Sequence, residues 1–333
     1  MLTPDRRLLT KRLTALLSDA SSSVVDEALR ELDAVDDDEV LRALAHGVQA
    51  SSQFILESRG GRFDALPFAR RDDVLLAVGA RGGALSRAAS LKLTVRDLTP
   101  LARLPAIETL RVTLSPDASI RGLEVLGALP RLRRLSVSGR LEGLAFLAGA
   151  TSLQELELSY SRVGLDTLPP LPSLESLTVD EGPQVPAQSL APLATLPQLR
   201  RLHLSRLDVT DLSPLASLVS LESLALNDTP QPFDLSPLAE LRSLRTLAVT
   251  RTLVRDLTPL ARLSALQTLD LSDSSQLADL SPLAGLPELA FVYLTNCPAI
   301  EGVDPLFKLP RLASADLRGH PRFADVFAPS GDD

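Results

Sequence analysis

The chain has 333 residues, a net charge of −8 and a pI near 5.1, and it is 45% hydrophobic but only 3% aromatic, with no Trp and a single Met. An acidic chain without a long basic run lacks the phosphate-neutralising surface from which nucleic-acid affinity comes, so a nucleic-acid partner is not expected. Its one cysteine, Cys297, rules out an intramolecular disulfide and leaves a Cys-rich metal site unsupported.

Residues 1–19 carry Asp5, Arg6, Arg7, Lys11 and Arg12 with no uninterrupted apolar run. That is the pattern of an amphipathic helix and not of a secretory signal, and nothing downstream approaches the roughly 18 apolar residues of a membrane span. A cytoplasmic chain without membrane insertion is the expectation. Leu9, Leu13, Leu16 and Leu17 share one face of this first helix, over 4–18. A second helix starts at Ser23, with Asp26 completing a capping box and Val25, Ala28, Leu29 and Leu32 as its apolar positions. A third follows Asp36, Asp37 and Asp38, acidic residues suited to a positive helix N-terminus, and buries Val40, Leu41, Leu44 and Val48.

Residues 51–88 are the least regular. Phe54, Phe63 and Phe68 are their core anchors, and residues 73–78 have a helical pattern. Arg59, Arg62, Arg70, Arg71, Arg81 and Arg87, set against Asp64, Asp72 and Asp73, read as a solvated linker with local ion pairs, or alternatively as a basic docking patch. The pairs Gly60-Gly61 and Gly82-Gly83 are turns, because neither precedes the Lys-Ser/Thr of a phosphate loop.

From residue 89 the chain repeats. Asp-Leu-Ser-Pro-Leu-Ala-Ser-Leu-Val-Ser-Leu-Glu-Ser-Leu-Ala-Leu over 211–226 returns in variant form at 97–112, 234–249, 256–271 and 279–294. The first apolar residue of each closing Leu-x-Leu falls at Leu91, Leu110, Leu135, Leu156, Leu177, Leu202, Leu224, Leu247, Leu269, Val292 and Ala315, at steps of 19 to 25 residues. A period of this length marks a solenoid, whose units bury their apolar faces against one another. Inside a unit, Ser213-Pro214 and its equivalents place a hydroxyl at a helix N-cap and proline at the first helical position. Leu215, Leu218 and Leu221 then recur every third residue before the pattern turns to the alternation of a strand at Leu224-Ala225-Leu226.

These repeats, over roughly 89–320, resemble the leucine-rich repeat family, and most closely its 22-residue class found in internalins and in Sds22-type phosphatase regulators. The resemblance implies an α/β solenoid with a curved parallel sheet on the concave side and short helical or 3₁₀ segments on the convex side, used for protein binding. Residues 1–88 are then a helical N-terminal cap, which the first repeat needs to cover its leucines and strand edge. At the other end, Phe323 and Phe327 cover the last leucine layer within 321–333, whose tail frays.

Strand alternation turns the leucines inward and sets the residues around them on the concave face, in columns about 4.8 Å apart. The column between the two inward residues runs Lys92, Arg111, Ser136, Glu157, Thr178, His203, Ala225, Ala248, Asp270, Tyr293, Asp316. Lys92, Arg111 and Arg134 make the first units basic, while Glu155, Glu157, Asp180 and Glu181 make the next two acidic. Both tyrosines, Tyr160 and Tyr293, fall on this side, and Phe291 joins Tyr293 on one strand. The candidate partner-binding residues are Phe291 and Tyr293 with Asp270, Asp316 and Arg318 around them, Tyr160, and the charged group Glu155, Glu157, Asp180, Arg201 and His203. A further column, Glu181, Arg206, Asp228, Arg251 and Asp273, alternates in sign and reads as a lateral, structural ladder. The next position holds Ser161, Thr229, Thr252, Ser274 and Cys297, side chains expected to turn inward and satisfy backbone groups.

His46, His203 and His320 have no spacing that suggests metal ligation or a nucleophile's base, so neither catalysis, a metal nor a cofactor is expected. The function the sequence supports is a non-enzymatic module binding a protein partner on the concave face. Two alternatives stand beside it: a regulatory subunit or enzyme with its activity in residues 1–88, and an exported internalin-like effector or adhesin.

Overall fold

The computed structural model describes residues 3–17, 27–28, 31, 40, 76–77, 80, 89–114, 120–161, 163–180, 189–229 and 234–323. Most of the second and third predicted helices, most of 51–88 with its phenylalanines and arginines, Glu181, Phe327 and the tail lie outside them. The chain forms two compact units, Met1–Arg140 with Phe146–Leu153, and Leu141–Ala145 with Gln154–Asp333.

In the first unit, helix α1 spans Pro4–Leu17. Of the predicted apolar stripe, Leu13 is fully buried and Leu9 is exposed, and the side chains of Leu16 and Leu17 lie outside the described residues. Ala28 and Val40, assigned to the apolar faces of the next two helices, are both helical and buried. Three strands follow, β1 (Ser90–Val95), β2 (Thr109–Leu114) and β3 (Arg134–Ser138), paired in parallel so that Leu91, Leu110 and Leu135 stand in register. Gly139, at φ 116°, ends β3 where a Cβ would come within 3.0 Å of the Leu114 side chain.

The second unit continues the pattern with β4 (Glu155–Ser159), β5 (Ser176–Asp180), β6 (Arg201–Ser205), β7 (Ser223–Asn227), β8 (Thr246–Ala248), β9 (Thr268–Asp270), β10 (Phe291–Tyr293) and β11 (Ser314–Asp316). Each is parallel to the next, and Leu156, Leu177, Leu202, Leu224, Leu247, Leu269, Val292 and Ala315 share one register line, all buried.

The leucines spaced by three explain the connecting segments. A 3₁₀ helix has three residues per turn, so every third side chain lies on one face, and its hydrogen bonds join residues three apart. Leu215, Leu218 and Leu221 donate in sequence to the carbonyls of Leu212, Leu215 and Leu218 at 2.9 Å each, and all four leucines are buried. The segments starting at Ser236 and Thr258 repeat this geometry, and that starting at Ser281 repeats its first two bonds.

Their caps differ from expectation. Ser213 is itself the first 3₁₀ residue, and the preceding Leu212 makes no side-chain cap. The cap is Asp211, two residues earlier, whose carboxylate accepts the Ser213 N–H at 2.8 Å; Asp234, Asp256 and Asp279 do the same for Ser236, Thr258 and Ser281. Each serine or threonine hydroxyl turns back to its aspartate instead of capping the helix, because a carboxylate is the stronger acceptor. Hydrogen bonds from those hydroxyls, and then from the backbone N–H groups, hold all four carboxyls below the usual carboxylate range.

Candidate functional site

Two residues past the second inward side chain of a strand, the chain turns through positive φ. Tyr160, Arg206, Asp228, Arg251, Asp273 and Asn296 all lie between 53° and 59°, and Gly139 and Gly319 occupy the same position. The N–H at this turn donates to the carbonyl of the next unit, as from Arg206 to Asn227 and from Asp273 to Thr295, so the backbone tolerates the strain in exchange for a lateral hydrogen bond. The following residue is driven inward: Ser161, Thr229, Thr252, Ser274 and Cys297 are at most 2% exposed. Ser274 donates to the Val249 carbonyl, and the Cys297 thiol donates to that of Leu271 at 3.2 Å. Burial pushes the Cys297 thiol up to about 11, so it stays protonated.

His320 is the last member of this column, a role its sequence position alone does not reveal. Its Nδ1 accepts the backbone N–H groups of Arg322 and Phe323 at 3.0 and 3.1 Å, which puts the ring proton on Nε2, 3.2 Å from the Ile300 carbonyl. Phe323 stacks on the ring at 4.7 Å between centroids.

The ladder column pairs in part as expected. Arg251 lies between Asp228 and Asp273, at 3.2 and 3.7 Å, and Asn296 extends the row by donating to Asp273 at 2.9 Å. Arg206 reaches Asp180 on β5, outside the column, at 2.6 Å, and its guanidinium carbon lies 5.8 Å from the Tyr160 ring centroid. Tyr160 therefore stands at a turn beside an arginine, and is 59% exposed.

On the exposed strand face, Arg201 reaches Glu155 at 3.7 Å, and His203 meets the Asn227 amide at 3.5 Å. Asn227 in turn accepts from the Thr250 hydroxyl at 2.9 Å, a polar link between neighbouring units that the sequence columns do not disclose. A groove enclosing about 520 Å³ runs over this face from β4 to β9, with Glu157 and Asp270 among its lining residues. Neither carboxylate has a cationic partner among the described residues.

Next to the groove, the register sets Tyr293 between Asp270 and Asp316, and Phe291 between Thr268 and Ser314. Phe291 is 43% and Tyr293 39% exposed. Asp316 and Arg318, two separate sequence candidates, bind each other: the Arg318 guanidinium reaches both carboxylate oxygens, at 3.0 and 2.7 Å. Those bonds hold the Asp316 carboxyl below the usual carboxylate range. In the first unit, Lys92 and Arg111 are register neighbours on the exposed face, and Arg134 donates to the Thr109 hydroxyl. Among the described residues, no three His, Cys, Asp or Glu side chains are grouped to hold a metal ion, and no helix is long and apolar enough to cross a membrane.

No protein-family model matches the sequence, and no curated protein matches it. Solved structures do. A leucine-rich repeat protein of Leptospira interrogans superposes with a TM-score of 0.60 at 18% identity, over 81% of this chain and 70% of that one. This chain is a leucine-rich repeat protein. Internalin C2 of Listeria monocytogenes is 35% identical over 54% of this chain and 75% of its own, with a TM-score of 0.46. TLR13, solved in complex with a single-stranded RNA, gives a TM-score of 0.52 at 18% identity, over 85% of this chain and 41% of that one. The fold is shared by such proteins, and the columns on the strand face are what distinguishes one from another.

Proposed function

We propose that this leucine-rich repeat protein is a non-enzymatic interaction module that binds a protein partner on the concave, strand-bearing face of its repeats. The observation that carries the reading is Phe291 beside Tyr293, both solvent-exposed on one strand of a chain that is 3% aromatic. Exposing two rings side by side works against solubility, whereas interfaces concentrate their energy in such anchors. The carboxylates around the rings favour a protein over RNA, the ligand in the TLR13 structure. A non-catalytic role fits His203, whose neighbour is an amide, and Cys297, held as a buried thiol. A cytoplasmic setting is part of the reading, supported by the single cysteine, and cell fractionation tests it.

The experiment is the double substitution Phe291→Ala, Tyr293→Ala, assayed against a partner recovered by proximity crosslinking in the host. The variant is expected to keep its circular dichroism and lose at least about tenfold in affinity, a conservative figure for two anchors. Unchanged affinity in a folded variant refutes the assignment.

A further inference from the structure

The groove between β4 and β9 is lined by five carboxylates, Glu157, Asp180, Asp228, Asp270 and Asp273, against two guanidiniums, Arg206 and Arg251. Asp180 is matched by Arg206, and Asp228 and Asp273 share Arg251. Three negative charges are left over: Glu157, Asp270 and one of the two aspartates around Arg251. The main-chain groups of these strands are taken up in the parallel ladder, so the face recognises a ligand through side chains alone.

The surplus lies beside the aromatic pair. Tyr293 is the register neighbour of Asp270 on the groove side and of Asp316 on the other. Because Arg318 already occupies Asp316, the open charge next to the ring is that of Asp270. A ring face beside an unpaired carboxylate attracts an ammonium or guanidinium by quadrupole and by charge together. From β10 to β4 there are six strand spacings, about 29 Å at 4.8 Å each, which an extended segment of about nine residues covers.

We propose that the occupant of this face is a basic, extended segment of the partner. One Lys or Arg docks between Tyr293 and Asp270, an apolar side chain covers Phe291, and further cations run across the strands towards Glu157. This rests on the interaction-module reading above and adds the chemistry of the partner to it.

The test is selection of a displayed library of random peptides, about twelve residues long to exceed that span, on the full chain and in parallel on the Phe291→Ala, Tyr293→Ala variant. Enriched peptides should carry a net positive charge, and a synthetic copy should bind less tightly as salt rises. Asp270→Lys should weaken that copy by at least about tenfold, while Glu301→Lys, an equal change of charge at an exposed site off the strands, should not. Both variants are first checked for an unchanged thermal midpoint. Equal losses from the two lysine variants would mean general charge attraction and overturn the proposal. Neutral or acidic peptides that still require Phe291 and Tyr293 overturn it while leaving the interaction face standing. A selection that yields no peptide dependent on those two rings overturns both.

Discussion

Truncating Leu226 to alanine probes the stacking that makes the fold. Leu226 is fully buried on β7, in register with Leu204 of β6. The substitution removes three carbons from the core, about 2.4 kcal/mol of lost transfer energy at about 0.8 kcal/mol each. The hole adds to this, because collapse is resisted: the backbone beside Leu226 is held laterally, Arg206 N–H to the Asn227 carbonyl and Asp228 N–H to that of Thr250, each at 3.0 Å. A total of about 3 to 5 kcal/mol follows. Val219, 59% exposed in the turn of the same unit, is the control, and its alanine variant should stay within about 0.5 kcal/mol of the parent. In a urea titration followed by circular dichroism, with a slope of about 3 kcal/mol/M, Leu226→Ala should lower the midpoint by about 1 M or more. Amide exchange should quicken first in β6 to β8, since a repeat couples to its neighbours. A midpoint shift no larger than that of Val219→Ala would refute the inward assignment and, with it, the register argument.

Three further outcomes are expected. The Cys297 thiol, buried and pushed up to about 11, should react slowly with a thiol reagent in the native chain and rapidly in urea; fast native labelling would show that the turn column is open. Gly319→Ala should destabilise by at least about 1 kcal/mol, because the residue sits at φ 78° and a Cβ would come within 2.1 Å of the Asn296 carboxamide oxygen, whereas Gly285→Ala, with nothing within 4 Å, should not. The capping aspartates Asp211, Asp234, Asp256 and Asp279 have folded pKa values below their unfolded ones, so the stability they contribute is present above about pH 3.9 and lost as pH falls through the lower folded values. Replacing all four by asparagine keeps an acceptor but removes the titration, and should flatten the loss of urea midpoint between about pH 5 and pH 2.5; an unchanged slope would show that other carboxylates govern it.

Much of the scaffold was legible because its determinants are local and repeated. A leucine every third residue suits a 3₁₀ turn, Leu-x-Leu suits a strand, and the recurrence of both sets the register, so Leu91 to Leu135 in the first unit, and Leu156 to Ala315 in the second, line up as the spacing implies. The turn column was also within reach, since Gly139, Asp228, Asp273, Asn296 and Gly319 are residue types that accept positive φ. Arg206, Arg251 and Tyr160 in the same column disguised it.

The sequence by itself determined which side chains share the strand face, because alternation and period are enough to sort inward from outward positions. Only the tertiary structure decided which of those charges remain available. Asp316 is taken by Arg318, and Asp180, which stands outside the ladder column, by Arg206 of that column, while Asp270 and Glu157 have no cationic partner among the described residues. Residues such as Asp180 and Arg206, 26 positions apart, meet because neighbouring strands lie about 4.8 Å apart, and at that spacing a side chain's rotamer and the turn it stands on choose its partner.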